Sequence, residues 1–320
     1  MDLIYCDENK VDIGVLQDYK LDLAFGEEEN NFELTMPLIA HCLEKDYNIY
    51  IEGTEYGGVI DSYQVNTELR KIVYKGRTWH GIFDSKVITP ASGEDYYVIS
   101  GDANTILSRI ITEYGLNSLF TVPSEASGIV LPSTNVDRYK NAYTVLLKIF
   151  RNNGGKLLFS YLDGVCIIQC VPLVDYSQDE EFDSDQLSFV IEKNFNAVNH
   201  LICLGQGELK NRQRLDLFAD ADGNISTTQT FTGLDEITEV YDYSSVESLE
   251  ELEKEGRKEF ASRRKDGKID VTLTESQSFD ISDIIGATEI VTGISVTKHI
   301  SKKIVTIEHD RLKVDYNING

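Results

Sequence analysis

The residues able to do chemistry are few and scattered. Gly205 to Lys210 reads GQGELK. It holds a Gly-x-Gly but lacks the third glycine of a dinucleotide fingerprint, and no helical pattern follows to offer a phosphate its N-terminus. A turn or bulge is the better reading. DADGN, Asp220 to Asn224, resembles the core of a calcium loop. With Gly223 in sixth place, however, Phe218 and Gln229 stand where the first and last ligands belong, so these turn-forming residues read as a hairpin tip. Cys166 and Cys170 share one strand parity, but no second CxxC or paired histidine completes a metal set, and they read as small apolar packing. His41, His80, His200, His299 and His309 stand singly, and His41 with Glu44 is too little for a site. Glu52 and Glu55 flank a glycine turn. They could converge as glycosidase carboxylates do, yet among 54 acidic residues such pairs arise by chance and a surface turn is the simpler reading. GxSxG is absent. Catalytic, cofactor and metal residues are all expected to be none.

One stretch departs from the acidic background. YKGRTWHGIFDSKVITP, Tyr74 to Pro90, holds the single tryptophan, Trp79, beside Lys75, Arg77, His80 and Lys86. In the bland reading Trp79 is core and Arg77 pairs with a nearby carboxylate. In the sharper one, Arg77 and Trp79 are subunit-contact residues, because Arg and Trp are favoured interface anchors. A phosphate site ranks last.

The elements that must position these residues divide the chain in three. Residues 1–90 read as strands: LDLAFG and NFELTMP around an acidic loop, then NIYIEG, GGVIDSYQV, KIVYKG and WHGIFDSKVI, with no convincing helical period. An antiparallel β unit, a small barrel or sandwich, is expected. Residues 91–175 form an α+β unit. Its first helix is capped by Asp102 and stopped by Gly115, a second runs through NVDRYKNAYTVLLKIFRNNGG, and a hairpin turns at Asp163-Gly164. DYSQDEEFDSD, Asp175 to Asp185, reads as a solvated connector. The third part, 176–320, is β-rich, with a charged helix over 244–265 whose early glutamates and late Arg263, Arg264 and Lys265 suit the helix dipole. It closes in the hairpin KKIVTIEH–DR–LKVDYNI.

A formal charge of −24 repels phosphate backbones, so conventional nucleic-acid binding is not expected. No run approaches the roughly 18 apolar residues of a membrane helix. MDLIYCDENK lacks the basic and apolar regions of a secretory signal, so synthesis in a cytoplasm is expected. Five scattered cysteines fit reduced thiols.

Several stretches in collinear order resemble one family, the baseplate or tail-tip hub proteins of tailed bacteriophages, prophages and phage-tail-like particles. They are ENNFELTMP, YIEGTEYGGVID, YKGRTWHGIFDSKVITP, YYVISGDANTILSRII, FNAVNHLICLGQGELKNR and DISDIIGATEIVTGISVTKHISKKIVTIEHDRLKVDY. The resemblance implies an α+β, β-rich fold with two tail-tube-like β-barrel domains, flanking helices and a further small β/α domain, in which strands after 190 could complete the first barrel. It implies a homotrimer at the virion tail tip, a symmetry adaptor that joins a hexameric tail tube to a central spike or fibre assembly. Distal tail and tape-measure proteins would be its neighbours. DNA would cross an acid-lined channel without specific binding. Some hubs continue into a C-terminal cell-wall hydrolase; the hub-like strands here run to the last residues, so a purely structural hub is expected. A tail-associated cell-wall or carbohydrate hydrolase is the alternative. A secretion-system spike protein shares the barrel architecture by analogy only.

Overall fold

A computed structural model describes residues 1–136, 138–177, 188–194, 196–221, 223–246, 248–264, 267–272, 278–288, 295–309 and 311–318. The acidic connector falls almost wholly outside the described residues. The chain forms two compact units. The first comprises Met1–Phe189 with Asp270–Asn319, and the second Val190–Ile269.

The first unit opens with β1 (Ile4–Cys6), β2 (Asp12–Val15), β3 (Lys20–Gly26), β4 (Asn31–Pro37), β5 (Asn48–Tyr50), β6 (Gly57–Asn66) and β7 (Lys71–Thr78). Then, inside the stretch read above as a strand, comes a helix, α1 (Trp79–Asp84). This corrects the all-strand reading of residues 1–90. Six residues are too few to show a helical period. Its start is set by Thr78, whose hydroxyl accepts from the Gly81 N–H at 3.3 Å.

β8 (Val87–Ile88) and β9 (Tyr97–Asp102) lead to α2 (Ala103–Glu113). As expected, Asp102 caps it, accepting from the N–H groups of Asn104 and Thr105, and Gly115 follows at φ 65°. After β10 (Phe120–Thr121), β11 (Val130–Val136) and β12 (Lys140–Asn141), α3 (Ala142–Asn152) has no cap from its own N-cap residue. Asp84 replaces it from α1, its carboxylate accepting from the Thr144 N–H at 3.0 Å and hydroxyl at 2.9 Å. β13 (Gly155–Leu162) and β14 (Val165–Pro172) form the expected hairpin over Asp163 and Gly164, both at positive φ.

β15 (Ser188–Lys193) leads into the second unit: β16 (His200–Leu204), β17 (Arg214–Ala219), β18 (Ile225–Ser226), β19 (Thr238–Asp242) and α4 (Leu249–Arg263). These strands pair in the order β18–β17–β16–β19. α4 packs on the sheet so closely that a Cβ on Gly256 would lie 2.6 Å from the Cys203 sulfur. DADGN is the tip between β17 and β18, where the Asn224 N–H donates to the Asp220 carboxylate at 2.8 Å.

After β20 (Gly267–Thr272) the chain re-enters the first unit as β21 (Ile284–Thr288), β22 (Ser295–Glu308) and β23 (Arg311–Ile318). The final hairpin pairs Glu308 with Arg311, so Arg311 is already a strand residue and not part of the Asp-Arg turn expected, whose Asp310 lies outside the described residues. β22 lies against β3, Lys302 opposite Gly26 and Glu308 opposite Lys20. The strands thus run β23–β22–β3–β4–β7–β6–β5–β1–β2 with every neighbouring pair antiparallel. No closed barrel occurs among the described residues. One continuous apolar core joins this sheet to α1, α2, α3 and the β13–β14 hairpin. The architecture is β-rich α+β.

Candidate functional site

α1 places the odd tryptophan and histidine. Trp79, His80, Gly81, Ile82 and Phe83 are all buried. Gly81 is required by the packing, since a Cβ there would sit 2.0 Å from the Asn30 carbonyl oxygen. Trp79 stacks on Tyr161 at 4.7 Å between centroids and 8° between planes, wholly interior. Arg77, one residue before the cap, lies half-exposed and clamps Asp61: Nε to Oδ2 at 2.9 Å, Nη2 to Oδ1 at 2.7 Å. Of the two residues singled out for a subunit contact, only Arg77 presents its side chain to solvent.

His80 leads into a buried ionic cluster. Its ring lies among Phe159, Phe25 and Tyr143, with centroids 3.9, 4.7 and 5.3 Å away. Its Nε2 faces the Glu55 carboxylate at 3.4 Å, and the other oxygen of Glu55 accepts from Lys303 Nζ at 2.6 Å. Lys303 comes from β22, 248 residues away, and its ammonium also sits 5.5 Å from the Tyr56 ring centroid. Burial pushes the Glu55 carboxyl up, but Lys303 and His80 pull it further down, to about 2. For Lys303, burial works against the ammonium, while Glu55 and the nearby tyrosines hold its pKa well above the ordinary value. Desolvation lowers His80 against the pull of Glu55. Glu52 remains at the surface. A carboxylate ionised to about pH 2 and held by an ammonium group has no proton to give near neutrality, so the cluster fastens strands and offers no general acid.

A second cluster has the opposite sign pattern. Lys156 on β13, buried, donates to Asp280 at 2.7 Å and Asp283 at 2.9 Å. The fully buried Asp283 also accepts from the N–H groups of Val174 at 2.8 Å and Asp280 at 3.0 Å. Burial lowers the Lys156 ammonium, yet the two aspartates raise it above its ordinary value.

In the second unit, the His200 ring stacks on Phe218 at 4.3 Å and lies between two carboxylates. Nδ1 is 2.7 Å from Glu236 and Nε2 is 2.7 Å from Asp216. The Arg214 guanidinium holds Asp216 below the usual carboxylate range against burial, with His200 adding to it. Both ring nitrogens are thereby engaged. Among the described residues no cluster of His, Cys, Asp and Glu has metal-holding geometry. Cys166 and Cys170 both point into the core as free thiols.

None of Glu55, Lys303, Lys156 or Asp283 was singled out from sequence as a cluster member. One signal was available. In ISKKIVTIE the alternate residues Ser301, Lys303, Val305 and Ile307 share a face, and a lysine in an inward apolar row implies a buried partner.

The outer surface offers contacts of another kind. Tyr63, Val65 and Leu69 of the β6–β7 hairpin are exposed, and Ile39 is 98% exposed. The Leu38 N–H donates to the Arg70 carbonyl at 2.8 Å, which sets Ile39's segment beside that hairpin turn. Arg77 and Asp61 lie on the same two strands. No described helix is long and apolar enough to cross a membrane.

The family model described as Siphovirus ReqiPepy6 Gp37-like protein matches residues 18–318. Among solved structures, the fold is similar to that of the 43 kDa tail protein of prophage MuSo2 from Shewanella oneidensis. The TM-score is 0.58 at 11% identity, covering 100% of this chain and 98% of that one. It is also similar to prophage tail protein gp18 from Listeria monocytogenes EGD-e (TM-score 0.52, 12% identity, 100% and 95% covered). The tail protein from Neisseria meningitidis MC58 gives TM-score 0.52 at 12% identity, with 96% and 93% covered. At such identities the likeness is one of fold. No curated protein matches the chain in sequence.

Proposed function

Because the chain belongs to the Siphovirus ReqiPepy6 Gp37-like protein family, we propose that it is a structural hub of a phage tail tip or baseplate, a trimeric ring around the tail channel that joins the tube to the spike or fibre assembly. The observation that carries this reading is end-to-end likeness in fold to a prophage tail protein, with almost nothing left over in either chain. The long antiparallel sheet of the first unit, completed by strands from both ends of the chain, supports a tube-like role for that unit. A second tube-like domain falls to residues 91–175, and the part beyond 176 takes the neighbouring tail proteins. The role is non-catalytic: the buried ion clusters tie distant segments together, and Glu55 is committed to Lys303. Arg77 with Asp61, beside the exposed β6–β7 hairpin, is the subunit-contact candidate, with Trp79 supporting it from inside. A formal charge of −24 suits a channel wall that DNA passes without adhering.

The test is antibody labelling of intact particles together with the mass of the purified chain in solution. Label at the tail tip and a mass near three times 36.1 kDa are expected. Particles without label, or label on the capsid alone, overturn the assignment. A particle-bound ring of another multiplicity overturns the trimer only. Clearing of a cell-wall suspension by the purified chain overturns the non-catalytic role.

A further inference from the structure

The core-facing side of β6 carries on past the core. β5 pairs with β6 only at Gly57–Val59, so from Asp61 to Asn66 the strand has β7 on one side and no other strand among the described residues. The register breaks at Asp61, and beyond it Tyr63 stands opposite Tyr74 and Val65 opposite Ile72. Residues directly opposite in an antiparallel pair share a face. Tyr74 and Ile72 are buried in the core, yet Tyr63 and Val65 are exposed, as is Leu69 at the turn. Apolar side chains grouped in this way mark a contact surface. The charges beside them stand out as well. Elsewhere on this sheet cations are matched within the chain: Lys20 with Asp22, Lys75 with Glu33, Arg77 with Asp61, Lys302 with Glu29, Lys313 with Asp315. Arg70, left-handed at φ 50°, and Lys71 are exposed and have no carboxylate partner among the described residues. The turn holds one acid, Glu68, against these two cations.

The first hairpin of the same unit has the complementary make-up. Its ladder steps from Tyr5–Gly14 to Cys6–Asp12 and leaves Ile13 as a bulge. The break turns successive side chains out of a single row, so Val11, Ile13 and Val15, all exposed, make an apolar ridge with more than one side. Asp2, Glu8, Asp12 and Asp18 are exposed around it. Its one lysine, Lys10, bonds its ammonium to the Ser118 carbonyl. β2 lies three strands from β6 in the sheet, about 14 Å at ~4.8 Å per strand, so the two patches are separate surfaces of one unit.

We infer that the β6–β7 tip of one copy seats on the β1–β2 hairpin of a second copy of this chain, in a head-to-tail contact. Tyr63, Val65 and Leu69 cover Val11, Ile13 and Val15, while Arg70 and Lys71 meet the acidic rim. Neither patch suits a copy of itself. Two tips would oppose cations, and two first hairpins would oppose carboxylates. That the occupant is a second copy follows from this match of apolar surface and opposite charge within one chain. A contact between two different patches repeats from copy to copy and closes as a ring where the rotation allows. Placing that ring at the tail tip rests on the function proposed above; the contact between copies does not.

The test is a light-scattering dilution series on the full chain. Wild type should associate reversibly, and more weakly as salt rises. Arg70→Glu with Lys71→Glu should raise the dissociation constant about tenfold or more, and so should Asp2→Lys with Glu8→Lys, since each pair sets like charges face to face. The four changes together restore opposite charges across the contact and should bring the constant back close to wild type. All four side chains are exposed. If the tip variant nevertheless fails to fold by circular dichroism, Leu69→Ser takes away apolar contact at the same place and should weaken association as well. A wild-type chain that stays monomeric through the millimolar range overturns the inference, the occupant then being another polypeptide. So does association that neither pair of changes weakens, or a fourfold variant no tighter than either pair alone. Each of these outcomes leaves the tail-tip assignment standing, because that is read from labelled particles. Particles without label would in turn leave the contact between copies standing.

Discussion

Lys303 and Lys156 are both buried ammonium groups that tie the returning C-terminal segment to the earlier part of the first unit, and they do so with opposite polarity. At Lys303 the returning strand brings the cation to a waiting carboxylate, Glu55, whose surroundings are aromatic rings and one histidine. At Lys156 the earlier strand brings the cation and the returning segment supplies two aspartates, one fully buried and one 37% exposed at its side chain. A buried pair contributes little net stability compared with an apolar isostere, but removing one partner leaves a charge the interior cannot solvate. What separates the clusters is therefore what would remain. Glu55 has His80 and no described backbone donor, whereas Asp283 keeps two N–H donors and Asp280 reaches water.

The largest effect is expected from Lys303→Met, which leaves the Glu55 carboxylate, its side chain only 18% exposed, without its cation. It should lower unfolding stability by about 3–5 kcal/mol in a denaturant titration. Adding Glu55→Gln should return part of that loss, since the remaining group is neutral. A double variant no more stable than Lys303→Met would mean that the cation acts through its contacts with Tyr56 and Tyr316.

Acid separates the clusters next. The Glu55 carboxyl lies at about 2 in the folded chain against an ordinary 4.5. A depressed folded value means that the contribution is complete above 4.5 and is lost as pH falls from there toward 2. From this group alone the loss is about 3 kcal/mol. The Glu55→Gln, Lys303→Met double variant should therefore have a flatter stability profile between pH 4.5 and 2. The lysines behave in the reverse sense. Lys156 is raised above its ordinary 10.5, so its contribution is full below that value and is lost as pH climbs past it. Lys156→Met should flatten the alkaline arm and leave the acid difference between wild type and the double variant unchanged.

Lys156→Met itself should cost about 1–3 kcal/mol, less than Lys303→Met, because the aspartates left behind retain hydrogen-bond donors or solvent. An equal cost for both lysines would show that the donors around Asp283 do not compensate for a lost cation.

The two clusters also mark where reading the sequence stopped. Local signals carried well: Asp102 at the start of α2 and Gly115 after it, the Asp163-Gly164 turn, the DADGN tip, and the shared inward parity of Cys166 and Cys170. Each is decided within a few residues, where capping, turn geometry and strand period act directly. α1 was missed because WHGIF is apolar throughout, and its cap, Thr78, sits inside a run that alternates like a strand. The α3 cap was invisible for another reason, since Asp84 reaches Thr144 from sixty residues away. The pairing of β22 with β3 and the reach of Lys303 to Glu55 depend on contacts across more than two hundred residues. No local period encodes those. Only the lysine misplaced in an apolar row hinted at them.

The smallest expected effect on folding belongs to Arg77, the surface counterpart of these buried pairs. Its fork grips Asp61 with two side-chain hydrogen bonds, and the Arg77 backbone N–H adds a third at 3.0 Å. Both partners are solvated, so Arg77→Ala should cost under about 1 kcal/mol of unfolding stability, and less in high salt. The side chain does not help fill the core, unlike Trp79, whose replacement by alanine would open a cavity against Tyr161. That contrast makes Arg77→Ala the cleaner test of the subunit contact. If the guanidinium also serves a neighbouring subunit, the variant keeps its melting behaviour as a monomer but dissociates at a higher concentration in a light-scattering dilution series. A dissociation point identical to wild type would confine Arg77 to its pair with Asp61 and move the contact to the apolar tip of the same hairpin, Tyr63, Val65 and Leu69.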